Sequence, residues 1–243
     1  MTETFVKKLS EELNIFSVKL EEKQINQFYQ YFEILVEWNK VMNLTAITEM
    51  DEVIAKHFVD SLSLIKAVED IGEKPYRMID VGTGAGFPGI PLKIAFPQLE
   101  ITLMDSLNKR VKFLNEVTGK LGLNGIEAVH SRAEDLGRNP EYREKYDLCV
   151  SRAVANLSTL SEYCMPFVKP GGYFIPYKSG KIETELQEAK HAVFLLSGKV
   201  KEVVAFTLPG AEAERSLVKI EKVNEISKKY PRKAGVPSKE PLK

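Results

Sequence analysis

The stretch that decides the fold is Arg77-Met-Ile-Asp-Val-Gly-Thr-Gly-Ala-Gly-Phe-Pro-Gly-Ile-Pro91. Met78 to Val81 is a short apolar run interrupted by one acid, Asp80, and it reads as a buried strand. It leads directly into Gly82, Gly84 and Gly86, and a helix-like segment from Ile90 to Ala95 follows. Glycine permits positive φ and lets the backbone approach a bound molecule closely. A strand, a glycine loop and a helix N-terminus together make a nucleotide-sized cradle of amide donors. The dinucleotide fingerprint G-x-G-x-x-G needs glycine at position 87, where this chain has Phe87. The pattern here is instead acidic-x-Gly-x-Gly-x-Gly.

Outward from that loop, strands and helices alternate, which implies a parallel sheet. The expected strands are Arg77–Val81, Glu100–Met104, Ile126–His130, Asp147–Ser151 and Tyr173–Tyr177. The expected helices are Ile90–Phe96, Asn108–Leu121, Leu157–Phe167 and Ile182–Leu196. Pro170-Gly171-Gly172 reads as a turn into the fifth strand. Val200–Thr207 and Ser216–Val223, separated by a Pro-Gly turn, read as a terminal antiparallel pair. Upstream, Leu20, Ile25, Phe28, Tyr29, Phe32, Leu35 and Val36 recur at spacings of three and four, an amphipathic helical stripe. Thr48 with Asp51 is placed to cap a further helix that runs through His57 to Val68. Three regions follow: a helical extension over residues 1–72, an α/β domain over 73–226, and a basic tail over 227–243.

Composition narrows the function class. The chain has 243 residues, 44% of them apolar, and 34 basic residues balance 34 acidic ones. Zero net charge argues against non-specific coating of nucleic acid, which rests on phosphate neutralisation. The tail is different: six basic residues against Glu240 give it a local net charge of +5. Any nucleic-acid partner would therefore be bound through a patch. Neither an apolar run of membrane length nor a secretory pattern at the N-terminus is present, and a cytoplasmic monomer without a membrane or DNA partner is expected. Cys149 and Cys164 show neither disulfide nor metal spacing and read as reduced core thiols; no metal site is expected.

Three more positions align with the glycine loop. Asp105 lies 19 residues beyond Gly86, at the end of the second strand, where a carboxylate accepts hydrogen bonds from ribose hydroxyls. Arg132-Ala133-Glu134-Asp135 follows the third strand, and its bland reading is a helix cap rich in acids. Ser151-Arg152-Ala153-Val154-Ala155 follows the fourth, and an arginine at a strand's carboxyl end faces the ligand crevice. His57 and Asp60, three apart, fall on one helix face, most simply as packing of the helical cap. Asn43-Leu-Thr-Ala-Ile47 reads as a capping loop.

The acidic-x-Gly-x-Gly-x-Gly pattern, with an acid ending the next strand, resembles the class I S-adenosylmethionine-dependent methyltransferases. That resemblance implies a Rossmann-like, mostly parallel seven-stranded sheet. Longer blocks sharpen it: Trp38-Asn-Lys-Val-Met-Asn-Leu-Thr-Ala46, Lys56-His-Phe-Val-Asp-Ser-Leu62, Gly86-Phe-Pro-Gly-Ile-Pro91 and Tyr230-Pro-Arg-Lys-Ala-Gly-Val-Pro-Ser-Lys239. Together they resemble the bacterial 16S rRNA guanine-N7 methyltransferases. The resemblance implies methyl transfer from S-adenosylmethionine to guanine 527 of 16S rRNA in the small ribosomal subunit. By position it places cofactor contacts on Gly82, Gly84, Phe87, Asp105, Ser106, Ala133, Glu134 and Arg152. Contacts to the RNA are expected from His57, Arg152, Lys178, Arg232 and Lys233. Guanine N7 has an in-plane lone pair and no proton, so no catalytic base or nucleophile is expected. The alternatives are a small-molecule methyltransferase, a non-catalytic ribosome- or RNA-binding protein of the same fold, and a nicotinamide dehydrogenase disfavoured by Phe87.

Overall fold

A computed structural model describes residues 1–152 and 155–243. Its centre is a seven-stranded sheet in the order β3-β2-β1-β4-β5-β7-β6. The strands are β1 (Arg77–Val81), β2 (Glu100–Asp105), β3 (Ile126–His130), β4 (Tyr146–Arg152), β5 (Val168–Ser179), β6 (Gly198–Leu208) and β7 (Ala213–Lys222). The first five run parallel, and β7 lies antiparallel to both β5 and β6. The order reverses between β1 and β4, and in open α/β sheets the crevice beyond the carboxyl ends at such a reversal is where ligands bind.

Alternation along the strands builds two cores. Met78 on β1 and Leu148 and Val150 on β4 face a core shared with Phe113, Leu114 and Val117 of α6 (Asn108–Lys120) and Ile90 and Leu92 of α5 (Gly89–Ala95). Ile79, Val81 and Cys149 face the opposite core with α8 (Leu157–Cys164) and α9 (Glu183–Leu195). Both cysteines are buried there as free thiols, and burial raises the Cys149 thiol well above its ordinary value.

The helical extension joins the first core. α1 (Glu3–Asn14) starts where the Thr2 hydroxyl accepts from Phe5 N at 3.3 Å, and it buries Phe5, Leu9 and Leu13. α2 (Glu22–Met42) buries Phe28, Tyr31 and Leu35 on one stripe and ends at Asn43 in the left-handed conformation. Gln24 Nε2 donates to Ile94 O (2.7 Å) and Ala95 O (3.1 Å), capping the end of α5. Gln27 Nε2 donates to Leu121 O (2.8 Å) after α6. Residues 1–72 and the sheet thus bury one continuous apolar cluster.

Three expectations change. Thr48 and Asp51 do not cap: the helix α3 (Met50–Val53) begins after Glu49, without a side-chain cap bond. It then widens into a π turn (Ile54–Val59), returns to α4 (Asp60–Leu62) and tightens into a 3₁₀ turn (Ser63–Lys66). Gly172 lies inside a longer β5 rather than in a turn, because a Cβ there would stand 2.6 Å from Asp147 O on the neighbouring strand. The tail is packed, not extended. It crosses α7 (Ala133–Leu136) and α8, with a one-turn helix α10 (Val236–Lys239).

Candidate active site

The glycine loop is held from three sides. Gly82 N and Thr83 N both donate to Met104 O (2.9 and 3.1 Å), and Gly84 N donates to Asp105 Oδ2 (3.0 Å). From the helical extension, the Tyr31 hydroxyl donates to Ala85 O. From below, Asp80 Oδ2 accepts from Thr83 Oγ1 (2.6 Å) and Gly89 N (2.9 Å). Asp80 Oδ1 has no partner among the described residues, and burial raises this carboxyl to about 6 against the opposing pull of those two donors.

Above the loop opens a cavity of about 410 Å³ lined by Leu44, Thr45, His57, Gly82 to Ala85, Phe87, Asp105, Ser106, Arg110 and Arg152. Gly84, at φ +62°, points its missing Cβ where no atom lies within 4 Å. The backbone there is open to a ligand that a side chain would displace. The Asp105 carboxylate at its edge accepts from Gly84 N and Leu107 N (2.9 Å) and pairs with Arg110 Nη1 at 3.3 Å. A nucleoside cofactor fits this cradle: glycine backbone on one side, a carboxylate at the second strand's end, and an orphaned buried carboxylate oxygen beneath.

One wall is aromatic. The Phe87 ring stacks on His57 (centroids 4.4 Å, 21°) and on Tyr31 (5.4 Å, 30°), and the Arg152 guanidinium lies 5.0 Å from the Phe87 centroid. Arg152 Nη1 donates to Asp60 Oδ2 (2.9 Å) and Lys56 O (3.0 Å), while Nη2 donates to His57 Nδ1 (3.1 Å). Arg215 Nε donates to the other Asp60 oxygen at 2.9 Å. His57 Nδ1 also lies 3.1 Å from Lys56 O, and Nε2 is hydrogen-bonded to Thr45 Oγ1 at 2.9 Å, an oxygen that accepts from Ile47 N at 3.0 Å. Burial, reinforced by Arg152, lowers His57 to about 3, so the ring is neutral and a weak base.

Beyond this wall lies a second cavity of about 660 Å³. His57 and Arg152 line both cavities. The second is otherwise bounded by Ile47, Lys56, Asp60, Ala155, Asn156, Tyr177, Lys178, Ser179, Glu185 and Arg215. A larger cavity, about 880 Å³, lies between α9 and Pro241 to Lys243 and shares no lining residue with the glycine-loop cavity.

Gly82, Gly84, Phe87, Asp105, Ser106, His57 and Arg152, singled out in sequence, thus line one cavity. Ala133 and Glu134 do not line it: Ala133 is core, and Glu134 Oε1 accepts from Gly235 N of the tail at 2.9 Å. Lys178 faces the second cavity, donating to Glu185 Oε1 (2.6 Å) and Ala155 O (2.8 Å). Arg232 is engaged rather than free. Its Nη2 and Nε grip both oxygens of the fully buried Glu162, at 2.7 and 2.9 Å, which pins the tail to α8. Lys233 is exposed. Ala153 and Val154 of the motif after β4 lie outside the described residues. Sequence reasoning missed Thr45, Arg110, Tyr31 and Arg215. Only the Asn43–Ile47 block carried a signal, and it was read as a cap.

The fold and site define a class I S-adenosylmethionine-dependent methyltransferase. A solved structure with a similar fold is TYW2 of M. jannaschii in complex with AdoMet (TM-score 0.52, 16% identity, covering 68% of this chain and 77% of that one). The family model described as rRNA small subunit methyltransferase G matches residues 24–218. Curated relatives named ribosomal RNA small subunit methyltransferase G are 55% identical over 95% of this chain in Lachnoclostridium phytofermentans (94% of that protein). In Alkaliphilus metalliredigens the figures are 53% identical over 92% (93% of that protein). The chain belongs to the rRNA small subunit methyltransferase G family.

Proposed function

We propose that this enzyme methylates N7 of guanine 527 in 16S rRNA of the small ribosomal subunit, with S-adenosylmethionine in the glycine-loop cavity and the target base in the second cavity. The observation that carries the reading is the shared wall: His57 and Arg152 border both cavities, so a donor in one and an acceptor in the other would meet beside them. The cofactor's sulfonium supplies an electrophilic methyl and leaves as a neutral thioether. The Gly84 backbone and Asp105 bind the nucleoside part, and Phe87 with its stacked neighbours shields the junction from water. A neutral His57 adds no positive charge of its own at the junction, and Asp60 balances that of Arg152.

Attack by N7 releases no proton, so the weak basicity of His57 is compatible with this acceptor. The protein's work is alignment at the junction. N7 lies in the deep, narrow groove of A-form RNA, so the target guanine must be in a loop or extruded to reach the cavity. Lys233, exposed on the tail, and Lys56, which lines the second cavity and is paired with Glu52, are the cations this reading assigns to phosphates.

Aniline-induced cleavage of small-subunit rRNA after incubation with enzyme and cofactor tests the reading. Cofactor-dependent cleavage at that single guanine is expected. Methyl incorporation without cleavage, or cleavage elsewhere, overturns it.

A further inference from the structure

The second cavity contains a charged pair that neither the glycine-loop cavity nor the Asp60 cluster uses. Lys178, near the end of β5, has a side chain only 11% exposed. Its ammonium donates to Ala155 O and to Glu185 Oε1. Glu185, in the first turn of α9, also accepts from Leu157 N through that same oxygen. An ammonium has three N–H donors and a carboxylate two acceptor oxygens. One donor of Lys178 and Oε2 of Glu185 therefore stay uncommitted among the described residues, and both residues line the cavity.

Their chemistry matches one base. β4 and β5 pair in parallel with Arg152 opposite Tyr177, and Arg152, Lys178 and Glu185 all line the second cavity. Glu185 is bonded to Lys178. The cavity that borders the His57–Arg152 junction thus holds a spare N–H donor beside a carboxylate acceptor. Around guanine from N7, the edge presents acceptor N7, acceptor O6, then the donors N1–H and N2–H₂. Adenine presents a donor at N6 and an acceptor at N1, the reverse polarity next to the same two groups.

Resting on the N7-guanine reading above, we infer that Lys178 and Glu185 are the pair that selects guanine. Lys178 donates to O6, and Glu185 Oε2 accepts from N1–H and N2–H₂. An extruded base is read on this edge by hydrogen bonds. Adenine would leave both charges facing groups of like polarity in a partly buried site, and such unmatched polar groups are strongly rejected.

The competing role for Glu185 is purely structural, tethering the N-terminus of α8. Glu185→Gln separates the two, since the amide oxygen can still serve Leu157 N while the charge is lost. Expected for this variant are a fall in kcat/KM on small subunits of roughly tenfold to a hundredfold and a cofactor dissociation constant within about twofold of the wild type. The decisive comparison uses subunits reconstituted with guanosine or inosine, which lacks the N2 amine, at the target nucleotide. Wild-type enzyme should lose about tenfold on inosine, and Glu185→Gln should lose almost nothing further. An equal inosine penalty in both enzymes, or none in the wild type, overturns the pairing; the wild-type arm needs no variant to fold. Absence of N7-methylguanine on guanosine subunits would instead overturn the reaction reading, and the pairing with it.

Discussion

Arg152 and Asp60 are joined by a 2.9 Å ion pair that ties the end of β4 to the helical turn carrying His57. Asp60 is almost fully buried and balances Arg215 as well through its other oxygen. Asp60→Asn would leave two guanidinium groups facing each other without their carboxylate. Removing one partner of a buried pair costs on the order of 3 kcal/mol. A lower thermal midpoint is expected, together with a fall in kcat of tenfold or more as Arg152 loses its orientation. Unchanged kcat at a temperature where the variant is folded would show that Arg152 needs no such anchor.

His57 should remain neutral across the working pH range. Burial and the adjacent Arg152 depress its folded value to about 3, below the ordinary 6.5. As pH falls through that window, the unfolded chain takes up a proton that the folded chain refuses, so the stability His57 contributes is lost toward acid. His57→Gln should therefore flatten the acid-side decline, by on the order of 3 kcal/mol near pH 4, as read by denaturant unfolding. Nitrogen NMR of the wild type between about pH 8 and pH 5 should show a neutral imidazole throughout. An imidazolium signal at pH 5 would contradict this.

The tail has two separable roles. Arg232 satisfies Glu162, which is completely buried, and Gly235 N is bonded to Glu134 in the loop after β3. Arg232→Ala strands that carboxylate, so a loss on the order of 3 kcal/mol and weaker cofactor binding are expected. Lys233→Ala removes an exposed charge and should lower affinity for subunits, more so at low salt, with cofactor affinity unchanged. The reverse pattern in calorimetry and filter binding would exclude this division.

Gly84 tests the cradle. Its φ of +62° and the open space at its Cβ position mean that Gly84→Ala adds backbone strain of about 1 kcal/mol and a methyl on the side of the loop where we propose the cofactor binds. Cofactor affinity should drop at least tenfold while the fold survives. Unaltered affinity by calorimetry would move the cofactor off this loop.

Much of the core was legible before the tertiary structure. Arg77–Val81 and Ile126–His130 match their expected strands residue for residue, because a short apolar run bounded by turn-forming residues is a local signal. β5 was read too short because Gly171 and Gly172 resemble a turn, whereas Gly172 serves a close approach of two strands that only the sheet reveals. Glu134, expected at the cofactor from the resemblance, also accepts from a backbone amide 101 residues away, a contact with no local trace in the chain. Thr45 looked like a cap, and it became a site residue because His57 folds back onto it.

The sequence by itself determined the order of elements, the glycine loop, and the acids ending β1 and β2. Hydrophobic period and glycine tolerance act over a few residues and leave a readable trace. Only the tertiary structure decided that Arg152 meets Asp60, 92 residues away, that Arg232 meets Glu162, 70 residues away, and that two cavities share one wall. Such pairings are set by which charges are buried together once the sheet and helices pack, and burial has no local signature in the chain.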